Sequence, residues 1–268
     1  MTLLIIVLIL ALLWVLAVQG RSSHPGMKEL RGWNYAHRGL HGDGAAENSM
    51  TAFRLAVENG YGMEFDLHLL KDGNLGVMHD SLLNRTTGQA GRIEDLYTQD
   101  LKNYRLENTE DTIPQFADVL TLVDGKVPLI IELKPEDSNH AKLAETACKM
   151  LEGYKGVFCI ESFDPRCIAW LRKNRPDIIR GQLSENFFRD RTDLSDTLKF
   201  LLTHNLANFL SRPDFIAYKF ADRNSTISNW LCRKLWRVQG VSWTLRSKED
   251  HDTALKEGWL SIFEGFRP

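Results

Sequence analysis

The sequence predicts an α/β protein: a (β/α)₈ barrel with a small insertion after the second strand, preceded by one N-terminal transmembrane helix. Short apolar runs alternate with segments of helical spacing, one apolar run follows a turn signal, and the chain starts with a long apolar stretch. Alternation of this kind is typical of a parallel sheet covered by helices. The chain has 268 residues, which is the length of one barrel domain.

The composition is that of a globular protein with a sizeable core, since 43% of the residues are hydrophobic and 25% are charged. A formal net charge of −2 provides no field for a polyanion, which argues against nucleic acid as the main partner. The four cysteines show no CxxC spacing, and we expect buried free thiols. None of these features determines the oligomeric state.

The first residues predict a membrane anchor over positions 1–20. Residues 3–18 are apolar without interruption, and a helix of that length spans roughly 24 Å, slightly less than the ~30 Å hydrocarbon core. Flanking residues or local thinning can close the gap. A cleaved signal peptide and a buried core helix are the alternatives. No basic region precedes the run, and Ala17-Val18-Gln19-Gly20 is a poor cleavage site.

Three basic residues, Arg21, Lys28 and Arg31, follow the apolar run, and none precedes it. By the positive-inside rule we expect a single-pass protein whose catalytic domain is cytoplasmic, with the opposite side as the alternative. Residues 21–32 contain Pro25 and Gly26 and are interpreted as a linker. Residues 33–268 then form the barrel.

Nine apolar runs have the length of strands. Leu75–Met78 follows the turn signal at residues 71–74, so with Gly62–Leu69 it predicts a hairpin rather than a βαβ step. The other predicted strands are Trp33–Ala36, Val127–Leu133, Val157–Phe163, Ile178–Leu183, Phe215–Tyr218, Gly240–Leu245 and Trp259–Phe263. Helical spacing is found in Ser49–Asn59, Ala141–Leu151, Asp164–Asn174 and Ser247–Glu257, and the insertion at residues 81–126 predicts short helices at Glu94–Leu101 and Gln115–Val123.

Carboxylates lie at the ends of two predicted barrel strands. Glu64 and Asp66 alternate with apolar residues and therefore share one face of their strand, and Glu132 has the same setting on the next. Three converging carboxylates repel one another unless a cation lies among them, and oxygen-only ligands select Ca²⁺ or Mg²⁺. Salt-bridged carboxylates at the rim are the alternative.

Two histidines, His37 and His79, are candidates for a general acid and base, because imidazole both accepts and donates protons near neutral pH. Histidines with satisfied hydrogen bonds in the core are the alternative. Arg38 can contact a phosphoryl group with two donors, and Lys134 can stabilise a developing oxyanion. His41, His68 and His140 are expected in loops or at the surface. This chemistry suits metal-assisted cleavage of a phosphate ester.

The order of these motifs resembles the glycerophosphodiester phosphodiesterase family, which belongs to the phospholipase C-like phosphodiesterases. The matching motifs are His37-Arg38-Gly39, Glu47-Asn48, Ala52-Phe53, Glu64-x-Asp66, Lys71-Asp72-Gly73, His79-Asp80, Arg85-Thr86-Thr87-Gly88, Ile113-Pro114, Glu132-Leu133-Lys134, Ser162-Phe163 and Trp243-Thr244. The resemblance implies a TIM barrel that hydrolyses a glycerophosphodiester to glycerol 3-phosphate and an alcohol with one divalent cation, Ca²⁺ or Mg²⁺. Both direct attack by water and a cyclic phosphate intermediate fit it.

The resemblance also implies a role for each matched residue. His37 and His79 correspond to the acid/base pair, and Glu64, Asp66 and Glu132 correspond to the metal ligands. Arg38 and Lys134 match phosphate-binding positions, Glu47 matches a site acid, and Trp243 lines the substrate pocket.

The chain departs from the family pattern at several positions. Ala46 stands where proline is usual, Arg246 stands where many members have asparagine, and residues 260–268 differ from the usual Asp-Gly-Ile-x-Thr-Asp-x-Pro. These differences concern the substrate more than the reaction. The alternative activities are a lysophospholipase D or a phospholipase C-like action on lipid substrates such as lysophospholipids. A catalytically silent ligand-binding barrel is the alternative from another class.

Overall fold

Eight parallel strands close a barrel in the computed structural model, which describes residues 1–191 and 194–268. The strands are β1 (Asn34–Ala36), β2 (Gly62–Leu69), β3 (Leu75–Val77), β4 (Leu129–Leu133), β5 (Phe158–Ser162), β6 (Arg180–Ser184), β7 (Phe215–Lys219), β8 (Gln239–Leu245) and β9 (Trp259–Phe263). β1 pairs with both β2 and β9, which closes the sheet. β3 runs antiparallel to β2, as the turn signal predicts.

Helices connect most of the barrel strands. They are α1 (Thr2–Ala17), α2 (Met50–Glu58), α3 (Asn84–Thr87), α4 (Phe116–Val123), α5 (His140–Met150), α6 (Pro165–Asn174), α7 (Phe187–Asp190), α8 (Asp196–Thr203), α9 (Asn208–Ser211), α10 (Ile227–Trp230) and α11 (Lys248–Lys256). Short 3₁₀ segments lie at Pro25–Lys28, Ile93–Asp95, Thr98–Asn103 and Phe220–Asp222, and a π turn lies at Leu231–Leu235. Ser49, Asp164 and Ser247 cap α2, α6 and α11 with side-chain oxygens, so these starts follow from local sequence.

The structure contradicts the predicted transmembrane helix. α1 has 16 residues, and none of the helices within residues 1–191 and 194–268 is both long enough and apolar enough to cross a membrane. At 1.5 Å per residue α1 spans roughly 24 Å, less than the ~30 Å hydrocarbon core. The expectations of a single-pass anchor and of a membrane location based on it are therefore wrong.

Alternation along the strands separates two apolar cores. One fills the barrel and includes Tyr35, Ile130 and Phe215. The other lies between the strands and the helices and includes Phe65 and Ile131, which alternate with the inward positions. Successive residues of each strand therefore face opposite sides of the barrel wall. Polar side chains lie at the strand ends. All four cysteines are buried and unpaired, as expected.

The segment predicted as a linker packs against the end of the barrel where β5, β6 and β7 begin. Met27 and Leu30 are buried within the inner core, and the Tyr35 hydroxyl donates to the Leu30 carbonyl at 2.8 Å. Arg21 forms an ion pair with the buried Asp214, just before β7. These residues close the amino end of the barrel, so the polar strand ends lie at the opposite, carboxyl end.

The insertion after the second strand has a small core of its own. Met78, Leu83, Ile93, Leu101 and Ile113 are buried together there. They pack the loops around α3 and the 3₁₀ segments onto the β2–β3 hairpin. This packing fixes the residues that directly follow β3, including His79.

Candidate active site

Three buried carboxylates, Glu64, Asp66 and Glu132, form an acidic cluster on β2 and β4. Asp66 stands beside Glu132 in the parallel register of the two strands. Each residue offers an oxygen, and these oxygens lie within 4.8 Å of one another. Phe65 and Ile131 lie between them in the chain and belong to the outer core. The strand pattern thus brings the three predicted metal ligands together.

The donor set of the acidic cluster fits a hard divalent cation, because it consists of carboxylate oxygens alone. Burial, and then repulsion from Asp66 and Glu132, raises the pKa of Glu64 well above its usual range. Burial raises the pKa of Glu132 to about 7 in spite of the neighbouring Lys134. These carboxylates are therefore costly to ionise together, and a bound cation would relieve that cost.

Two side-chain cations lie against the acidic cluster. Lys134 follows β4, and its Nζ lies 2.8 Å from Glu132 Oε1 and 3.1 Å from Asp66 Oδ1. Arg38 follows His37 with a left-handed φ of 54°, and its backbone N–H donates to Glu64 Oε2 at 3.1 Å. Its Nε lies 3.8 Å from Asp66 Oδ2. Both residues partly balance the negative charge of the cluster.

His37 lies directly after β1 and is fixed from two sides. Its backbone N–H donates to the Phe263 carbonyl at 2.9 Å, and its Nδ1 lies 2.6 Å from Glu264 Oε2. Its Nε2 lies 3.9 Å from Glu64 Oε2, beside the acidic cluster. Burial, reinforced by Arg38, lowers the pKa of His37 to about 4, although the Glu264 hydrogen bond acts in the opposite direction. The imidazole is therefore neutral at neutral pH.

His79 follows β3 in a similar setting. Its Nδ1 lies 2.6 Å from Asp80 Oδ1, and Asp80 is in turn paired with Arg85. Burial, and then the charge of Lys134, lowers the pKa of His79. Each predicted acid/base histidine is thus backed through Nδ1 by a carboxylate.

Glu47 lies between two guanidinium groups. Arg38 Nη1 donates to both of its oxygens at 2.9 and 3.1 Å, and Arg85 donates to them at 2.6 and 3.0 Å. Burial raises the pKa of Glu47, but the two arginines outweigh burial and hold it below its usual value. In this structure both oxygens of Glu47 are therefore occupied by the two arginines.

A cavity of about 310 Å³ opens at the carboxyl end of the barrel. Predicted site residues that line it are His37, Arg38, Glu64, His79, Glu132 and Trp243. The Trp243 ring meets Phe163 edge to face at 5.5 Å. Glu47, Asp66 and Lys134 are not part of the lining. The first two contact Arg38, and Lys134 contacts Glu132. The structure therefore divides the predicted residues into a lining set and a supporting set.

Several residues of the site escaped the sequence interpretation. Glu264 contacts His37, and Asn48 donates from Nδ2 to Asp66 Oδ2 at 2.8 Å. Glu161 stands beside Glu132 in the β4–β5 register and lines the cavity. Burial, and then repulsion from Glu132 and Asp66, raises its pKa well above the usual range. The sequence signal that could have identified Glu161 is its position directly before the motif Ser162-Phe163, on the predicted strand that follows the strand of Glu132.

His68 differs from its expectation as a loop or surface residue. It lies on β2 and is 1% exposed. Its Nδ1 lies 2.7 Å from Glu94 Oε1, and Ser81 Oγ donates to the other oxygen of Glu94 at 2.7 Å. It therefore connects β2 to the insertion and takes no part in lining the cavity.

Solved structures of similar proteins share this architecture. A phosphodiesterase from Oleispira antarctica, in complex with the product sn-glycerol-3-phosphate, superposes with a TM-score of 0.72 at 20% identity, covering 89% of this chain and 94% of that one. A glycerophosphodiester phosphodiesterase from Parabacteroides distasonis superposes with a TM-score of 0.66 at 24% identity, covering 86% and 92%. At such identities the likeness supports the fold alone.

Sequence comparison identifies the family. A glycerophosphodiester phosphodiesterase of Bacillus altitudinis is 34% identical over 155 residues, which are 54% of this chain and 63% of that protein. The chain thus matches less than two thirds of the length of this relative. Glycerophosphodiester phosphodiesterase 1 of Bos taurus is 26% identical over 254 residues, which are 80% of this chain and 72% of that protein. The model of the glycerophosphoryl diester phosphodiesterase family matches residues 37–263, which confirms the resemblance and shows that the chain belongs to this family.

Proposed function

We propose that the protein hydrolyses glycerophosphodiesters to glycerol 3-phosphate and an alcohol. The observation that carries this proposal is the pairing of two carboxylate-backed histidines, His37 and His79, around a cavity that also exposes the acidic cluster. Family membership and the glycerol 3-phosphate bound to the Oleispira antarctica relative support the substrate class.

The two histidines divide the proton transfers of diester cleavage. One imidazole accepts a proton from the attacking hydroxyl, and the other donates a proton to the leaving alkoxide. Because Nδ1 of each ring is hydrogen-bonded to a carboxylate, Nε2 is the ring nitrogen available for these proton transfers. Burial favours the neutral rings, and an anionic phosphodiester beside them stabilises the proton on the ring that must act as the acid.

Glu64, Asp66 and Glu132 would hold a divalent cation, Ca²⁺ or Mg²⁺. When bound, such a cation acts as a Lewis acid that polarises a phosphoryl oxygen. Arg38 and Lys134 contribute fixed positive charge beside the cluster, and Glu47 orients the Arg38 guanidinium. These charges favour an anionic phosphoryl group at the mouth of the barrel.

Trp243 and Phe163 form an aromatic wall of the cavity. Trp243 Nε1 is buried and has no hydrogen-bond partner among the described residues. The cavity of about 310 Å³ is at the small end of ligand sites, which suits a diester without an acyl chain.

The test is turnover by the full-length protein of glycerophosphocholine and of lysophosphatidylcholine, with Ca²⁺, Mg²⁺ or a chelator. His37→Asn and His79→Asn are compared with His140→Asn, a histidine at the start of α5 outside the cavity lining. We expect metal-dependent release of glycerol 3-phosphate from glycerophosphocholine, reduced about 10²- to 10⁴-fold in the first two variants and unchanged in the third. Circular dichroism verifies that each variant is folded.

The other outcomes are equally informative. Turnover of lysophosphatidylcholine alone would reassign the protein to a lipid-directed phospholipase D. A folded protein that turns over neither substrate with either metal would exclude the proposed reaction for these substrates and favour a ligand-binding barrel.

A further inference from the structure

Behind His37 lie two residues that the motif pattern does not include. Glu264 directly follows β9, and its Oε2 lies 2.6 Å from His37 Nδ1. Arg246 directly follows β8, and its Nη2 donates to the two oxygens of Glu264 at 3.1 and 3.2 Å. We call these two residues the Glu264–Arg246 pair. Both lie where the chain departs from the family pattern.

Backbone bonds between three neighbouring strand ends fix this arrangement. β9 lies between β8 and β1, with Ala36 beside Phe263 in the register. The His37 N–H donates to the Phe263 carbonyl, and the Glu264 N–H donates to the Leu245 carbonyl, each at 2.9 Å. Arg246, Glu264 and His37 therefore stand in a row across the barrel rim, and their contacts follow from strand pairing.

The contact determines which ring nitrogen of His37 carries the proton. An ionised carboxylate only accepts hydrogen bonds, so Nδ1 must donate to Glu264. Glu264 is ionised at neutral pH, since the His37 hydrogen bond, together with the charge of Arg246, lowers its pKa to about 2. In a neutral ring the proton on Nδ1 leaves Nε2 with a lone pair, and that atom lies on the side of Glu64 and the cavity.

We propose that Glu264 is a positioning residue that holds His37 in the Nδ1–H tautomer, with Nε2 directed to the substrate, and that Arg246 holds Glu264 in place. This inference rests on the proposed function in so far as His37 transfers a proton. His79, Asp80 and Arg85 repeat the same order of imidazole, carboxylate and guanidinium on the other side of the site, so the arrangement serves both rings.

A second cation site is the competing interpretation of these residues. His37, His41 and Glu264 offer ligand atoms within 4.8 Å of one another. This group has only one carboxylate, and the guanidinium of Arg246 neutralises it, whereas the acidic cluster has three carboxylates. His37 Nδ1 is also already in hydrogen-bond contact with Glu264 Oε2 at 2.6 Å. The arrangement therefore favours orientation of the ring over binding of a metal.

The test combines kinetics with the tautomer of His37 in the full-length protein. The variants are Glu264→Ala, the isosteric Glu264→Gln, Arg246→Ala and the double variant Glu264→Ala/Arg246→Ala. The control is Glu257→Gln, which alters a carboxylate paired with Arg223 away from the cavity. For glycerophosphocholine we expect Glu264→Ala to reduce kcat about 10- to 100-fold with KM changed less than about twofold, by analogy with carboxylates that orient an imidazole.

The remaining variants separate orientation from folding. Glu264→Gln keeps an acceptor oxygen and is expected to recover part of kcat. Arg246→Ala removes the support of Glu264 and also a charged side chain from the cavity lining, and we expect a loss of about threefold in kcat. The double variant should be no slower than Glu264→Ala alone, because both substitutions act through the same ring. If Glu264→Ala does not fold, Glu264→Gln and Arg246→Ala carry the kinetic test.

Long-range ¹H–¹⁵N spectra of the imidazoles at pH 7.5 give the second measurement, with His37 assigned by its absence in His37→Gln. We expect the Nδ1–H tautomer in the wild type and a shift towards Nε2–H in Glu264→Ala. An unchanged tautomer in Glu264→Ala, or an unchanged kcat, would overturn the inference. An inactive wild-type protein would contradict the proposed function. The role of Glu264 would still be tested, because the spectra show whether Glu264 sets the tautomer of His37.

Discussion

Glu132 shows how strongly a buried carboxylate depends on its neighbours. Burial raises its pKa to about 7, Lys134 opposes this, and Asp66 adds to it. The pKa of Asp66 lies well below its usual range, because Lys134, His79 and Arg38 outweigh the effect of burial. The carboxylates of the acidic cluster therefore differ widely in pKa, which is typical of coupled carboxylates.

We expect protons to compete with the cation at Glu132. Its pKa in the metal-free fold, about 7, is above the usual value of 4.5, so below pH 7 a proton must leave before a cation binds. Affinity for Ca²⁺ or Mg²⁺ should thus fall as the pH is lowered from 7.5 to 5.5. Isothermal titration calorimetry at the two pH values measures this change.

The matched variants for this prediction are Glu132→Gln and Glu152→Gln. Loss of a ligand carboxylate should weaken binding by about tenfold or more and remove much of the pH dependence. Glu152 is exposed after α5, and its substitution should change neither quantity. Equal affinity of the two variants would contradict the assignment of Glu132 as a ligand.

At the scale of the elements, the inner core depends on one small residue in β6. Gly181 pairs with Phe215 in the β6–β7 register, and a Cβ at Gly181 would lie 2.1 Å from the Phe215 ring. This distance is far below van der Waals contact, so the Phe215 ring and any side chain at position 181 cannot occupy the same space. The absence of a side chain at Gly181 is what allows Phe215 to fill the barrel.

We expect Gly181→Ala to lower the free energy of unfolding by about 1–3 kcal/mol through overpacking, as measured by urea denaturation followed by circular dichroism. Phe215→Leu removes the two ring atoms nearest to that Cβ, Cε2 and Cζ. The free energy of unfolding of the double variant should therefore exceed, by about 0.5–3 kcal/mol, the value obtained by adding the two single effects. Simple additivity would show that the two positions do not compete for the same space.

At the scale of the whole molecule, residues before β1 close the amino end of the barrel. Arg21 Nη2 donates to Asp214 Oδ2 at 2.7 Å, and Arg21 Nε donates to the other oxygen. Asp214 is 1% exposed and also accepts from the Arg180 N–H at 3.0 Å. Removing Arg21 leaves a buried carboxylate with fewer donors, which is costly in a nearly dry environment.

Arg21→Ala should therefore reduce the free energy of unfolding by about 1–3 kcal/mol, less than for a fully buried pair because Arg21 is partly exposed. Thermal and urea unfolding measure this loss. Arg31→Ala is the matched control, since Arg31 contacts Gln239 only at an exposed position and should cost less than about 0.5 kcal/mol. Equal effects of the two variants would show that the Asp214 contact does not stabilise the barrel.

Much of the barrel was predictable because its signals are local. The predicted hairpin and the strands from Gly62 to Phe263 differ from the observed bounds by only a few residues. Alternation along β2 identified Glu64 and Asp66 as residues on one face, and β4 supplied Glu132. Caps such as Ser49 and Ser247 start their helices with a bond to a residue three positions later. The chemistry of their side chains indicated the two histidines with Arg38 and Lys134, and the family motifs added Glu47 and Trp243.

Residues that depend on contacts distant in the chain escaped prediction. Glu264 meets His37 across 227 positions, and Arg21 meets Asp214 across 193. Nothing in the local sequence of either residue indicates its partner. The expected membrane anchor failed for another reason: the apolar run was identified correctly, but the helix it forms is too short to cross a membrane.

The barrel and the family could be predicted from the amino-acid sequence, because period-2 alternation, turn residues and motif order are local properties of the chain. Only the tertiary structure decided which carboxylate supports which imidazole and which residues close the barrel. Those choices arise when strand pairing brings β8, β9 and β1 side by side. Hydrogen bonds and ion pairs depend on distances of about 3 Å, and the closed sheet sets those distances.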